Sequence, residues 1–231
     1  MDLVWSGTRQ ALALLAGADR DIWGILWLSL QVSGIATFIS LALGVPAGAA
    51  LALVRFPGRS LVVSVVNTGM GLPPVVVGLF VTLLLWRGGP FGELEILYTP
   101  AAIVVAQAVI AAPIVTGITL AAVGQVPREF RLQLLGLGAS RAQMVWLVLR
   151  EARLPMLAAV MAGFGGIISE IGASMMVGGN IKGQTRTLTT AMVLETGKGN
   201  FEVAIALALL LLVLIFLVNW LLTAIQQRHA R

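Results

Sequence analysis

One carboxylate sits where carboxylates are costly. Glu170 lies inside the apolar run from Pro155 to Val177 and is the only acid in the interior of a long apolar segment. An ionisable group at membrane depth is a functional candidate by default. On a continuous helix it would lie about 22 Å beyond Pro155. Gly166 and Ser174 would then share its face at i−4 and i+4, so a neighbouring helix could approach closely. The chemistry open to it is a hydrogen-bond or ion-pair anchor, or a purely structural role. Little else in the chain can do covalent chemistry. There is no cysteine, so disulfides, thiolate metal sites and cysteine nucleophiles are excluded. The one histidine, His229, stands beside Arg228 and Arg231 and reads as a solvated tail, leaving no material for a serine–histidine triad or a metal cluster. No G-x-x-x-x-G-K-[ST] cradle for a nucleotide phosphate is present.

The elements that must hold Glu170 are spanning helices. The chain of 231 residues is 58% hydrophobic and 11% charged, with mean hydropathy +0.97, whereas soluble domains carry about 25% charged residues. Several apolar runs exceed the roughly 18 residues that mark a spanning helix. The expected fold is an all-α integral membrane protein of about five transmembrane helices in a single domain, 1–231. The spans are expected near 23–54, 61–86, 98–123, 155–177 and 201–225. The first is long for one span and must tilt, protrude or bend at Gly44–Val45–Pro46. The second contains Pro73 and Pro74 in mid-span, where missing N–H groups leave carbonyls unpaired; a bend lining a polar path competes with a simple kink. The glycines Gly163, Gly165, Gly166 and Gly172 of the fourth span read first as tight packing and second as a flexible gate. Residues 3–17 read as an interfacial helix or a short leader.

Charge orients the bundle. Arg55 and Arg59 lie in the first inter-helix loop; Arg128, Arg131, Arg141, Arg150 and Arg153 lie in segment 124–154; Arg228 and Arg231 lie in the tail. All three fall on one side of a five-span chain, which the positive-inside rule places in the cytoplasm. The N-terminus is then outside and the C-terminus cytoplasmic. Trp23, Trp27 and Trp86 mark the outer boundary and Trp220 the inner one. The net charge of +5 is thus accounted for by membrane topology, and no nucleic-acid partner is expected. Segment 178–200 is the exception, since its Lys182, Arg186 and Lys198 lie on the outer face. Lys182 and Arg186 could draw an anion or pair with acids on a partner protein.

Segment 124–154 is far longer than an ordinary helix connection. It reads as helix, turn, helix: Pro127 permits a start, Gly136 and Gly138 break the first piece, and Ser140 caps a second piece running through Gln143 and Trp146 to Arg150. Met144, Val145, Leu147 and Val148 stand among polar residues, an amphipathic pattern suited to a partner's groove or to lipid headgroups.

The run LGLGASRAQMVW (135–146), closed by LREARLP (149–155), resembles the cytoplasmic signature loop of ABC importer permeases. The loop glycine maps to Gly138 and the closing Leu-Pro to Leu154 and Pro155. Two departures stand out. The family's Glu-Ala-Ala triplet falls on Leu132, Gln133 and Leu134. The 16 residues between Gly138 and Pro155 exceed the usual spacing by about one helical turn, which keeps the same faces presented. FPGR (56–59), GLPPVVVGL (71–79), GGPFG (88–92) and AAPIVTGI (111–118) resemble molybdate-, sulfate- and tungstate-type permeases. The run Ile168 to Thr196 is most like the tungstate type.

The resemblance implies a coupling helix that docks on an ATPase subunit, carried here by Gly138, Ala139, Ser140, Arg141, Gln143 and Met144. It implies a homodimer in the cell inner membrane, two cytoplasmic ABC ATPase subunits holding ATP-Mg, and an extracytoplasmic oxyanion-binding protein. The chain itself would carry no cofactor and no ATPase site. The implied function is alternating-access import of an oxyanion, first tungstate, then molybdate or sulfate. Pro73, Pro74, Glu170, Lys182 and Arg186 are the gate and pathway candidates, with Glu170 an anchor because a carboxylate repels an oxyanion. Segment 187–195 is expected to form a short helix near the outer gate, as in relatives. The rival class is a stand-alone channel or secondary transporter, which would need ion-coupling acids in the spans. A membrane scaffold with a docking platform is a third reading.

Overall fold

The computed structural model describes residues 5–9 and 20–228, and every described element is helical. Helix α1 (Arg20–Leu53) is followed by α2 (Arg59–Met70), α3 (Pro74–Leu85), a 3-10 turn (Gly92–Leu94) and α4 (Pro100–Gly124). Then come α5 (Arg128–Gly136), α6 (Arg141–Glu151), α7 (Arg153–Ile168), α8 (Gly172–Gly178), α9 (Leu188–Gly197) and α10 (Phe201–Arg228). Three helices, α1, α4 and α10, are long and apolar enough to cross a membrane alone. The pairs α2–α3 and α7–α8 reach that length only together, bent by 102° and 59°.

The first bend is the one that Pro73 and Pro74 predict; the second corrects the expectation of a continuous helix over 155–177. Segments 61–86 and 155–177 are not single helices. The first breaks at Gly71–Leu72–Pro73, because Pro73 and Pro74 cannot donate to a helix arriving from Met70. Pro74 instead opens α3 at its first turn, where a missing N–H costs nothing. The second breaks at Ser169–Glu170–Ile171, so Gly166 and Ser174 do not flank Glu170 on a continuous face. The long first run does not break. α1 continues through Pro46 for 34 residues, about 50 Å, and so must tilt or protrude from a hydrocarbon layer about 30 Å thick.

α1 and α4 form the centre. They pack closely because α1 offers small residues: a methyl group at Gly48 would lie 2.5 Å from the Thr116 carbonyl oxygen, and one at Gly44 would lie 2.8 Å from Val115 Cγ1. Ser29, Ser33, Thr37 and Ser40 line the buried side of α1. Thr37 and Ser40 donate to the carbonyls four residues back, which satisfies their hydroxyls within the helix. α3 and α8 lie against this centre through Val77, Val81, Ala102, Ile103 and Val177. α9 and α10 cover the other side through Leu188, Ala191, Leu207 and Leu210.

The two ends differ. At one, Tyr98 N–H donates to the Val177 carbonyl (2.8 Å), and Lys182 Nζ lies 2.6 Å from Asp21 Oδ2. At the other, Ala49, Val123, Val126, Val148 and Ala152 join the last turns of α1 and α4 to α6. Arg55, Arg128 and Arg131 gather at this second end. Residues 5–9 form a helical turn in which Gly7 backs onto Ile205 of α10. The rest of the predicted leader, and His229 and Arg231, lie outside the described residues.

Candidate functional site

The two broken spans meet. A methyl group at Gly172 would lie 2.5 Å from Val75 Cγ2, and one at Gly78 would lie 2.7 Å from Ala173 Cα. α3 and α8 therefore contact each other through a glycine on each side, directly after their breaks. Pro73, Pro74 and Glu170 belong to one small region. Of the fourth-span glycines, Gly172 is needed for this contact, Gly163 sits under Val115, and Gly165 faces open space.

The break at Glu170 is held by its own carboxylate and by side chains from α4 and α9, with α1 behind them. The Glu170 carboxylate accepts the N–H of Ala173 (3.0 Å), satisfying a donor in the first turn of α8. The Glu170 carbonyl accepts from Thr189 Oγ1 of α9 (3.1 Å). The Ile167 carbonyl, in the last turn of α7, accepts from the Glu170 N–H (3.2 Å) and from Gln107 Nε2 of α4 (3.0 Å). Gln107 Oε1 in turn accepts from Ser33 Oγ of α1 (3.2 Å). Non-helical backbone at membrane depth survives only when its polar groups are paired in this way. The Glu170 carboxylate is thus engaged by backbone rather than by a cation.

Sequence reading missed Gln107, which is 3% exposed. The available signal was a lone amide in the apolar run of α4, opposite hydroxyls spaced by four at Ser29, Ser33 and Thr37. Ser29 has its own role: its hydroxyl accepts the Leu188 N–H (2.8 Å) and fixes the start of α9 against α1. α9 itself begins with a capping box between Thr187 and Thr190.

Lys182 and Arg186 are not in this region. Lys182 pairs with Asp21 within the same chain. Arg186 donates through Nε to Asn180 Oδ1 (3.2 Å) and through Nη2 to the Asn180 carbonyl (3.3 Å). Both stand at the end of the bundle that carries the start of α1. Nearby, Asn200 and Lys198 hydrogen-bond Glu195 and hold its carboxyl below the ordinary range.

At the opposite end, the α5–turn–α6 unit forms as its sequence predicts. Gly138 adopts φ 87°, a left-handed conformation that side chains oppose. Ser140 and Gln143 make a reciprocal capping box: Ser140 Oγ accepts the Gln143 N–H (3.3 Å) and Gln143 Oε1 accepts the Ser140 N–H (2.8 Å). Val148 is buried among the ends of α1 and α4, which seats α6 on the bundle. Gly138, Ser140, Arg141 and Gln143 are exposed, and Ala139 is half-buried. Met144 is half-buried and lines a cleft of about 420 Å3 with Arg55, Arg128 and Arg131, so it faces the bundle more than the surroundings. Leu137, 85% exposed, and Trp146, 59% exposed, add an apolar surface with Leu132 and Leu135. Arg150 stacks over the Trp146 ring at 5.4 Å. Among the described residues no group of three or more histidine or acid side chains could hold a metal.

Residues 44–231 match the family described as "Binding-protein-dependent transport system inner membrane component". The chain belongs to this family. It is similar to a probable anion ABC transporter permease protein of Haloferax volcanii, 43% identical over 87% of this chain and 89% of that one. It is also similar to the tungstate uptake system permease protein TupB of Peptoclostridium acidaminophilum, 36% identical over 98% of this chain and all of the relative. The fold is that of ABC importer permeases. The inward-facing MetNI methionine ABC transporter superposes with TM-score 0.75 at 21% identity, over 92% of this chain and 99% of that one. A permease of this family is a multi-pass protein of the inner membrane, in accord with the apolar helices.

Proposed function

We propose that this permease is the transmembrane subunit of an ATP-driven importer that takes up tungstate, with molybdate and then sulfate as the alternatives. The carrying observation is full-length similarity to a tungstate permease, joined to a capped, exposed α6 at the arginine-rich end of the bundle. The arginine-rich end is cytoplasmic by the positive-inside rule, so α1 begins outside and α10 ends inside. Two copies form the pore. Two ATPase subunits bind ATP-Mg and receive α6 through Gly138, Ala139, Ser140, Arg141 and Gln143, with Met144 supporting from beneath. An extracytoplasmic binding protein delivers the oxyanion at the other end.

The mechanism is alternating access. Closure of the ATPase pair draws the two α6 helices together. Val148 transmits that movement to the ends of α1 and α4, because it is packed among them. The breaks at Pro73 and Glu170 are where the spans change direction, so they are the places where a gate can open without unravelling a helix. Glu170 holds α8 by its first-turn N–H throughout. That engaged carboxylate argues against the channel or secondary-transporter class, which needs a free ion-coupling acid.

Cellular uptake tests the substrate. A strain lacking its own tungstate and molybdate importers, supplied with this permease and its partner genes, is expected to accumulate tungsten at nanomolar tungstate. Excess molybdate should compete partially and sulfate weakly. Equal competition by sulfate would overturn the tungstate assignment.

A further inference from the structure

Beside the start of α1 lies a recess of about 370 Å3 that the transport reading leaves unused. One wall is a stripe of α1, Arg20, Gly24, Trp27 and Gln31, spaced to share one helix face. The other wall is the turn bearing Lys182 and Arg186. Among the described residues three cations and one carboxylate, Asp21, line it, a net of +2. Lys182 is neutralised by Asp21 at 2.6 Å. Arg186 is different: it donates two hydrogen bonds to neutral acceptors on Asn180, which fix the guanidinium, and the Glu195 carboxylate, further off, offsets only part of its charge. The turn that carries it is rigid: Thr185 Oγ1 accepts the Ile181 N–H and donates to the Gly178 carbonyl. Arg20 has no carboxylate partner among the described residues. Gly24 leaves open space between the walls.

Away from the cations, the wall becomes apolar through Ile25, Trp27 and Leu28. Trp27 is 66% exposed, as an interfacial tryptophan is. A cationic rim above an apolar wall matches an anionic headgroup with its first methylenes. We propose that this recess binds a tetrahedral oxyanion group, the phosphate of an anionic phospholipid headgroup or a free oxyanion of the same chemistry. The apolar wall favours the lipid.

The test uses the full chain purified in neutral detergent, without ATPase or transport, so it stands or falls apart from the importer reading. Native mass spectrometry reads retained phosphatidylglycerol against phosphatidylcholine, and equilibrium dialysis reads inorganic phosphate and tungstate. Phosphatidylglycerol is expected to be retained preferentially. Arg20→Gln should weaken binding about fivefold. Gly24→Leu should block it by filling the recess. Asp21→Asn, which releases Lys182, should strengthen it about fivefold. Arg87→Gln, at the same end but outside the recess, should change nothing. Saturable binding of phosphate or tungstate with the same variant pattern, and no lipid preference, would assign the free ion as ligand. Equal retention of both lipids with no saturable anion binding would overturn the proposal. So would weaker binding in Asp21→Asn, or an equal loss in Arg87→Gln.

Discussion

Gln107 joins three helices with two hydrogen bonds, one to the Ser33 hydroxyl and one to the Ile167 carbonyl. Replacing it by leucine removes both bonds and leaves the Ile167 carbonyl with the Glu170 N–H alone (3.2 Å), a cost of about 1 kcal/mol. Gln107→Leu is therefore expected to lower the melting temperature of the purified permease. The loss should be less than additive with Ser33→Ala, because the second change removes a partner already lost. Strict additivity in thermal melts would show that the two side chains act separately. Glu170→Gln keeps an acceptor for the Ala173 N–H and should transport at a substantial fraction of the wild-type rate, whereas Glu170→Leu should not. Equal, severe loss in both would mean that the charge matters, not the anchor. Glu170 was legible because an acid in an apolar run stands out. Gln107 was not, because an amide carries no charge that demands a partner at membrane depth and its partners lie 74 and 60 positions away in sequence.

Among the elements, α6 was read almost to the residue. Its start is local chemistry: a glycine, a serine, and a glutamine three residues later. Ser140→Ala should cost about 1 kcal/mol at the cap. Hydrogen exchange should quicken in residues 141–144 while Val148 stays protected, since tertiary packing holds the far end. Gly138→Val meets a different barrier, because φ 87° is strongly disfavoured for a β-branched residue. The bundle is expected to fold while ATP hydrolysis loses its link to transport. Wild-type uptake by that variant would refute the coupling role. Spans two and four were legible only as apolar lengths. Hydropathy counts residues across a membrane and is blind to direction, so it joined α2 to α3 across a 102° bend. Pro73 and Pro74 marked the place but not the angle, and nothing near Ser169 is a strong breaker. α9 carries a pH prediction. The Glu195 carboxyl is held low by Asn200 and Lys198, so its contribution is present above the ordinary range and is lost as pH falls through the lowered value. Glu195→Gln should flatten the fall in melting temperature below about pH 5. An unchanged slope would remove that contribution.

Across the whole molecule, composition and charge asymmetry set the class before any contact was known. A five-span reading puts the arginine-rich segments on one side, and the packing brings Arg55, Arg128 and Arg131 together at one cleft. The closeness of α3 to α8, and of Lys182 to Asp21, could not be read from the chain because both are long-range contacts between segments of unrelated pattern. The central claim is that this permease passes an oxyanion when a partner ATPase moves α6. The measurement that tests it most directly is ATP hydrolysis by the permease–ATPase complex in liposomes, with the binding protein supplied empty or loaded with tungstate, molybdate, sulfate or phosphate. Tungstate-loaded binding protein is expected to stimulate hydrolysis most, and Gly138→Val to abolish the difference between loaded and empty. A stable complex whose hydrolysis is unchanged by every loaded form would contradict the account.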